Sequence, residues 1–223
     1  MIKRRVIFTL CFKDGVLFRT KRFVPDYRYT MNFIDGGADE IVAIDVGEDR
    51  SAFWAAVERI NDQCFLPLTV GGRIGSASDV REALRCGADK VLIDRAARAN
   101  PDIIPSIAGK FGCQVFVLGL TVPHPDPIGW VKTATKLGIG EVFIQSVERD
   151  GSLMGYDLPL LKSIVPATTV PVVIGSGCGT WEHMRAGFEA GADGCATSVI
   201  HHFAAESVGK AKAYLKEHGI HVR

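Results

Sequence analysis

The sequence lacks any apolar run close to the roughly 18 residues that a membrane-spanning helix needs. Basic residues followed by an apolar run at the start, as far as Phe12, resemble a signal peptide. Lys13 and Asp14 interrupt that run, however, and no small-residue cleavage site follows. We therefore interpret the start as a first strand and expect no contact with a membrane.

An excess of charge of one sign is also missing, because 26 basic and 25 acidic residues give a net charge of +1. This balance provides no broad electrostatic attraction for nucleic acid. The six cysteines form no CxxC pair and no regular framework, which argues against a disulfide scaffold and fits reduced thiols in a cytoplasmic protein. The adjacent His201 and His202 resemble a metal pair, but neighbouring side chains in a strand or helix point apart, so we expect no metal and no cofactor.

What the sequence does contain is an ordinary globular composition, 47% hydrophobic and 23% charged, over 223 residues. This is enough for one substantial core. No linker or low-complexity tract divides the chain, so we predict a single domain that covers residues 1–223.

A glycine-rich stretch, VGGRIGS at residues 70–76, has a related copy later in the chain. After a shift of 104 positions, residues 69–90 align without a gap on residues 173–194. A glycine turn between a strand end and a helix start exposes backbone N–H groups at the positive end of the helix dipole, which suits phosphate. Two such turns, with Gly71 and Gly72 in the first, indicate a substrate with two anionic ends; alternatively, the glycines only make tight connections.

Gly-Ala-Asp turns recur at a shorter spacing. These turns or their equivalents begin at Gly37, Gly87, Gly138 and Gly191, which are 50, 51 and 53 residues apart, and each precedes an apolar strand. A period near 50 marks a repeated supersecondary unit, here two β–α pairs. Four such units make eight strands and eight helices, so the sequence predicts an α/β fold, a (β/α)₈ TIM barrel with internal half- and quarter-barrel repeats.

Hydrophobic patterning places the elements of this barrel. Strands are predicted near residues 5–12, 40–45, 66–70, 90–94, 114–121, 141–146, 171–175 and 194–198. Helices are predicted at residues 50–63, 76–86, 101–111, 129–137, 180–190 and 205–217. A weak first helix is predicted at Pro25–Asp35.

The strand ends sort the polar residues onto two faces. In such barrels chemistry lies at the C-terminal ends of the strands, here called the upper mouth, and the opposite end, the lower face, usually serves stability. The charged residues Arg5, Glu40, Lys90 and Glu141 begin strands at the lower face. A ring of paired charges is unusual for a purely structural end, because desolvating each charge costs several kcal/mol. Solvated strand-start residues are the alternative.

Several motifs together resemble one family. They are LCFKDG, GGADEIVAID, PLTVGGRI, GADKVLID, SVERDGSLMGYDL, GSGCGT, HHF and the C-terminal YLKEHGIHVR. With these motifs the chain resembles, nearly end to end, the cyclase subunit of imidazole glycerol phosphate synthase, from histidine biosynthesis. ERDG followed by GYDL is the most specific of them. The departures described below are typical of a divergent cyclase-like paralogue.

The resemblance implies a barrel that receives ammonia at its lower face from a glutaminase partner and passes it to a phosphorylated substrate at the upper mouth. The family's charged gate of one arginine, one lysine and two glutamates corresponds to Arg5, Lys90, Glu40 and Glu141, and all four are present. Asp89 matches the acidic position that meets the glutaminase.

The family's two catalytic aspartates are replaced at the upper mouth. Cys11 stands at the first position and Thr121 at the second. A thiol has a reference pKa of about 8.5 and a threonine hydroxyl hardly titrates, so neither replaces a carboxylate as an acid–base group. Loss of one such group typically costs roughly 10²- to 10⁴-fold in rate. We therefore expect the family's ring-closing chemistry to be nearly abolished.

The two phosphate sites that the resemblance implies differ from each other. The second is retained in Asp150, Gly151, Gly177, Thr197 and Ser198. The first departs, with Arg73 in place of a glycine and Asp94 and Arg95 in place of an asparagine and a small residue. The two arginines either clasp a carboxylate or diphosphate, or pair with Asp94 and Asp45 and close the pocket. The loops after strands one and five are shorter than in the family, so we expect no lid.

Three functions remain open. The first is the ammonia-accepting synthase subunit of a glutamine amidotransferase complex, similar to cyclase-like subunits that make acetamidino sugars for surface polysaccharides, where an acidic nucleotide sugar would suit Arg73 and Arg95. The second is the histidine-pathway cyclase that forms imidazole glycerol phosphate. The third is a non-catalytic partner that docks on the glutaminase and activates it.

Overall fold

The structure is a computed structural model that describes residues 4–29, 37–198 and 207–223. Its strands are β1 (Arg5–Lys13), β2 (Val16–Lys21), β3 (Val24–Arg28), β4 (Glu40–Asp45), β5 (Leu68–Gly71), β6 (Lys90–Ile93), β7 (Phe116–Val122), β8 (Glu141–Ser146), β9 (Val172–Ile174) and β10 (Gly194–Thr197). Its helices are α1 (Arg50–Gln63), α2 (Ala77–Arg85), α3 (Arg95–Ala99), α4 (Ile103–Phe111), α5 (Pro127–Leu137), α6 (Leu158–Ile164), α7 (Trp181–Glu189) and α8 (Ser207–Glu217).

The barrel consists of β1 and β4 to β10, which are parallel neighbours in that order, and β10 closes the ring by pairing with β1. This confirms the predicted (β/α)₈ barrel. Every predicted strand lies within two residues of an observed one, and the bounds of α1, β4 and β8 are those predicted. The last helix is described from Ser207 onward, and the HHF motif at residues 201–203 lies outside the described residues.

The predicted helix at Pro25–Asp35 is wrong over its first residues, which belong to β3; residues 30–36 lie outside the described residues. Instead β2 and β3 form an antiparallel hairpin directly after β1. The reason is a free edge: β10 pairs with β1 only as far as Phe8, so the upper part of β1, Cys11–Lys13, is open to β2. Two short helices, α3 and α6, were not predicted either.

Two apolar clusters lie on the two sides of the barrel wall. Side chains such as Ile7, Leu92 and Phe143 fill the inside of the barrel. A larger cluster, which includes Phe116 and Phe188, packs the wall against the helices. Strands buried on both sides are expected to be nearly continuous apolar runs, as these are.

The aspartates of the Gly-Ala-Asp turns have one shared structural role. The Oδ2 atoms of Asp39, Asp89 and Asp193 accept hydrogen bonds from the backbone N–H groups of Val6, Leu68 and Val172 at 2.8, 2.8 and 2.9 Å. Each carboxylate thus holds the start of the preceding strand in its quarter of the barrel. None of the described helices has the length and apolar character needed to cross a membrane.

Candidate functional site

The structure brings the four lower-face charges together into one closed ring. The guanidinium of Arg5 donates to both carboxylate oxygens of Glu40, at 2.9 and 3.0 Å, and to Glu141. The ammonium of Lys90 lies 3.3 Å from Glu40 and 2.9 Å from Glu141, so each glutamate contacts both cations. Arg223 at the C-terminus reaches the edge of the ring, 3.7 Å from Glu40. These residues occupy strand starts, and the closure of the barrel makes them neighbours.

Burial distinguishes the members of this ring. Arg5, Glu40 and Glu141 are buried, whereas the Lys90 side chain is 22% exposed. Burial by itself would lower the pKa of the Arg5 guanidinium, but the charges of Glu141 and Glu40 outweigh it and the pKa is raised. Arg5 therefore stays cationic, and Lys90 is the member of the ring with room to move.

Above the ring the interior of the barrel is apolar. Ile7, Val42, Val117 and Val173 belong to one buried cluster there. Thr9 adds a buried hydroxyl with no hydrogen-bond partner among the described residues. An ion crossing this interior would lose its hydration, which costs several kcal/mol, whereas a small neutral molecule would not.

The upper mouth contains a cleft of about 800 Å³. Apolar side chains such as Ile74 and Val147 form part of its walls. Its charged lining residues are Arg22, Arg73, Arg95, Arg98, Asp45 and Asp94. The cleft therefore carries four cations and two anions, a net charge of +2 in a chain whose total is +1.

The two glycine turns of the half-barrel repeat have the same backbone shape. Gly72 and Arg73 have φ of +88° and +54° in the first copy, and Ser176 and Gly177 have +67° and +88° in the second. Both positions of the turn thus need the left-handed region, and each copy has a glycine at only one of them. A left-handed conformation costs a residue with a side chain about 1–2 kcal/mol, so Arg73 sits in a strained position.

Contacts to β4 and its following loop hold Arg73 there. Its Nη2 lies 2.6 Å from Oδ2 of the fully buried Asp45 carboxylate, and its Nη1 donates to the carbonyl of Glu48 at 3.1 Å. Arg50 lies 3.8 Å from the same carboxylate. Of the two arginines expected here, Arg73 therefore pairs with Asp45, as in the pocket-closing alternative. The Arg95 side chain forms no ion pair or hydrogen bond within the described part of the chain.

Cys11 is buried and packs in the interior cluster of the barrel. Burial, together with the charge of Asp150, raises the pKa of its thiol to about 12, and a contact with the Thr20 hydroxyl only partly opposes this. The thiol stays protonated at neutral pH, so it acts neither as a base nor as an activated nucleophile.

Thr121 lies beside a carboxyl group that belongs to the neighbouring strand end. Its side chain lies close enough to Asp94, the N-cap residue of α3, to lower the pKa of that carboxyl. Burial raises the pKa of the Asp94 carboxyl, against the opposing effects of Thr121, Arg98 and Arg95. The upper mouth thus has a carboxyl group with a raised pKa, Asp94, at the end of the strand next to that of Thr121, the position at which the family resemblance expects a catalytic aspartate.

The residues assigned to the second phosphate site come together around a small cavity. Asp150, Gly151, Gly177, Thr197 and Ser198 all line it. Its volume is about 20 Å³, which is room for about one water molecule. None of the described residues that line it is basic, and the Asp150 carboxyl is buried in its wall.

The turn of the β2–β3 hairpin lies between this cavity and the cleft. Phe23 lines both, and Arg22 lines the cleft. Asp150 fixes the turn, because its Oδ2 accepts a hydrogen bond from the Phe23 N–H at 2.8 Å and its carbonyl accepts one from the Arg22 N–H at 3.3 Å. The turn therefore occupies this side of the mouth, because the free edge of β1 pairs with the hairpin. The expectation that the mouth lacks a lid stays a prediction.

Sequence reasoning missed three residues of the mouth: Arg22, Phe23 and Arg98. Arg98 follows Arg95 by three residues on α3, a spacing that places both on one side of the helix, so a signal for it existed. No local pattern indicates the contact that holds Arg22 and Phe23. Among the described residues, no group of three or more His, Cys, Asp and Glu is arranged to hold a metal ion, and His201 and His202 lie outside them.

Comparison with known proteins adds independent information. Residues 11–205 match the family described as "Histidine biosynthesis protein". The whole chain is 36% identical to the imidazole glycerol phosphate synthase subunit HisF of Myxococcus xanthus and covers 99% of that protein. It is 34% identical to the HisF subunit of Geobacillus thermodenitrificans and 33% identical to that of Streptococcus mutans, and covers 100% of each.

The alignment with the Myxococcus protein runs over 250 positions, 27 more than the 223 residues of this chain, so that relative has segments without a counterpart here. The match otherwise extends from end to end, as the family resemblance predicts. The chain therefore belongs to the histidine biosynthesis protein family and has the barrel of an imidazole glycerol phosphate synthase cyclase-type subunit.

Proposed function

We propose that this chain is the ammonia-accepting synthase subunit of a glutamine amidotransferase complex that aminates an anionic substrate other than that of the histidine pathway. A glutaminase partner docks on the lower face, and ammonia enters past Arg5, Glu40, Lys90 and Glu141. It crosses the barrel and reacts with a substrate at the upper mouth. The amination of an acidic nucleotide sugar to an acetamidino sugar, for surface polysaccharide, is the pathway we propose.

The lower face supports ammonia entry. Its four charges pair with one another, so the entrance is closed in the isolated chain. Lys90 is the most exposed of the four, and its displacement by a docked partner would open the ring. The apolar interior above favours neutral ammonia over ammonium because of the desolvation cost of an ion.

The upper mouth supports a different substrate, and it is the observation that carries the proposal. At the two positions where the family resemblance expects catalytic aspartates, Cys11 has a buried thiol with a pKa of about 12, and Thr121 has a hydroxyl. Neither exchanges protons at neutral pH. The ring of charges that conducts ammonia is thus retained while the acid–base pair for ring closure is absent.

The names of the relatives favour a second candidate. Proteins 33–36% identical over the whole chain are named imidazole glycerol phosphate synthase subunits, so this chain would be the histidine-pathway cyclase. Under that candidate Asp94, whose pKa is raised, would have to supply the proton transfers that Cys11 and Thr121 do not.

The first experiment is turnover of the histidine-pathway bisphosphate substrate by the purified chain with ammonium salt in excess. Ammonium replaces the glutaminase, so the assay reports on the upper mouth alone. We expect no turnover above roughly one ten-thousandth of that of an ordinary cyclase, because two acid–base groups are missing. Turnover near the ordinary rate would establish the second candidate instead.

The second experiment tests ammonia entry with the variant Lys90→Glu, combined with the glutaminase and the acceptor. Reversal of this charge leaves three carboxylates around Arg5, so we expect glutamine-dependent product to fall while ammonium-dependent product persists. Lys132→Glu, an exposed position on the outer helix α5, is the matched control and should leave both activities unchanged. Unchanged glutamine-dependent activity in Lys90→Glu would refute the entrance.

A further inference from the structure

The geometry points to a ligand whose two phosphates are adjacent, as in a nucleoside diphosphate, bound in the cleft by Arg22, Arg95 and Arg98. This inference rests on the proposed function in one respect, that the acceptor substrate binds in the cleft. It differs from the arrangement of two anionic groups at opposite ends of a substrate, which the paired glycine turns suggest.

The first argument is unneutralised charge. Of the four arginines that line the cleft, Arg73 is paired with Asp45. Arg22 and Arg95 form no ion pair with any described carboxylate, and Arg98 meets Asp94 through Nε at 3.1 Å. Asp94 is thus the one carboxylate shared among Arg22, Arg95 and Arg98, so two of these three cations lack an acidic partner among the described residues. The guanidinium groups in excess of carboxylates around this cavity repel one another until an anion with several oxygens joins them.

The second argument is the division of space between the two cavities. The small cavity beside Asp150 has about 20 Å³, and no basic residue lines it within the described parts of the chain. A phosphate group has five heavy atoms and does not fit where one water fits. The cleft has about 800 Å³, within the range of roughly 300–1,000 Å³ of sites for drug-sized ligands. Both phosphates must therefore lie on the cleft side of Phe23, where the arginines are.

The third argument is the hairpin turn that presents Arg22. Arg22 and Phe23 have φ of +57° and +60°, a conformation that residues with side chains rarely adopt. Asp150 holds the turn through both backbone N–H groups, so its shape does not depend on a ligand. The turn directs Phe23 into the wall of the small cavity and Arg22 into the cleft. The hairpin turn thus narrows the small cavity, so that phosphate is excluded there, and it adds a cation to the cleft.

The apolar part of the cleft completes the ligand class. Ile74, Pro123 and Val147 lie in the wall of the same cavity as the arginines. They offer a surface for the flat ring of a base, while the arginines take the diphosphate. Bidentate contacts to phosphate are the usual role of arginine and suit neighbouring phosphates.

Calorimetric titration of the full chain tests the inference with four probes. These are uridine diphosphate, inorganic pyrophosphate, orthophosphate, and fructose bisphosphate, whose phosphates lie at opposite ends of the sugar. We expect the two diphosphates to bind at least tenfold more tightly than the other two, and uridine diphosphate more tightly than pyrophosphate. Fructose bisphosphate binding as tightly as pyrophosphate would overturn the inference.

Variants assign the site. We expect Arg22→Ala, Arg95→Ala and Arg98→Ala each to weaken pyrophosphate binding by about tenfold or more, which is typical for loss of one charged hydrogen-bond donor. Arg85→Ala removes an exposed arginine of α2, outside the cleft, and should change nothing. Equal loss in all four variants would also overturn the site. Diphosphate binding without ammonia-dependent chemistry would leave this inference standing while the proposed function fails.

Discussion

The two ends of the barrel treat charge and backbone strain in opposite ways. At the lower face, ion pairs join Arg5, Lys90 and the two glutamates into a closed ring. Left-handed backbone in the adjacent turns falls on glycine, as at Gly87 and Gly191. At the upper mouth the cations outnumber the anions, and all six described non-glycine residues with positive φ lie there. They are Asp14, Arg22, Phe23, Arg73, Leu153 and Ser176.

This difference separates a closed end from a binding end. Strained backbone persists only where surrounding contacts hold it, and it concentrates at functional sites. Arg73 illustrates this, because its ion pair with Asp45 stabilises a left-handed backbone conformation. At the equivalent position in the second half of the barrel, that conformation is adopted by a glycine, Gly177. The lower face carries its ring of charges without such strain, since ion pairing holds the ring in place. Four predictions test the comparison.

The largest effect is expected from Arg5→Met at the lower face. It leaves the buried Glu40 and Glu141 with Lys90 and, for Glu40, the more distant Arg223 as partners. Removal of one partner of a buried ion pair costs about 3–5 kcal/mol. Urea unfolding measures the loss. Arg85→Met removes exposed ion pairs and is expected to cost less than about 1 kcal/mol. If Arg5→Met cost no more than this control, the ring would not be a tightly coupled unit.

The next effect concerns the rigid part of the upper mouth, at Gly72. A Cβ there would lie 2.3 Å from the carbonyl oxygen of Asp45, and φ is +88°. Gly72→Ala is therefore expected to destabilise the protein by roughly 2 kcal/mol or more. Gly109→Ala in α4 adds a Cβ with nothing within 4 Å and should stabilise by about 0.5–1 kcal/mol. Thermal unfolding of both variants measures the two effects. A change of the same sign in the melting temperature of both variants would contradict the comparison.

A smaller effect is expected from Asp94→Asn in the cleft. Burial raises the pKa of this carboxyl, so the folded protein holds the proton more tightly than the unfolded chain does. The stability that protonated Asp94 contributes is complete below the pKa of about 3.9 in the unfolded chain, and it is lost as the pH rises through the pKa in the folded protein. The variant avoids that loss, so its advantage in free energy of unfolding over the parent should be larger at pH 7 than at pH 4.

Urea unfolding at the two pH values measures this advantage. The control is Ser106→Ala on α4, an exposed position whose side chain does not titrate. Its difference from the parent should be nearly the same at both pH values. An advantage of Asp94→Asn that is larger at pH 4 would show that ion pairing, and not burial, dominates this carboxyl.

The smallest effect is expected at Cys11, where the thiol should behave as an inert core side chain. With a pKa of about 12, almost none of it is thiolate at pH 8, whereas Cys113 is exposed. Labelling with iodoacetamide, mapped by mass spectrometry, should modify Cys113 in the native protein and Cys11 only after unfolding. Native labelling of Cys11 at the rate of Cys113 would reopen its candidacy as a nucleophile.

Sequence alone determined the barrel and the composition of its lower face. A repeat near 50 residues specifies the strand starts, and residues at strand starts in a closed parallel barrel converge by geometry, as Arg5, Glu40, Lys90 and Glu141 do. The spacing of the repeat also located the two glycine turns at the upper mouth. These features are local sequence patterns that recur in each repeat of the barrel, so the periodicity of the sequence is enough to find them.

Only the tertiary structure showed that the upper mouth is divided into a small cavity and a large cleft. The hairpin at Val16–Arg28 forms because β10 ends before β1 does, and its turn is held by Asp150, which is 127 residues away from Phe23. Whether Arg73 is free or paired likewise depends on Asp45, 28 residues earlier. Loop conformations of this kind result from contacts between distant segments, for which a local sequence pattern carries no signal.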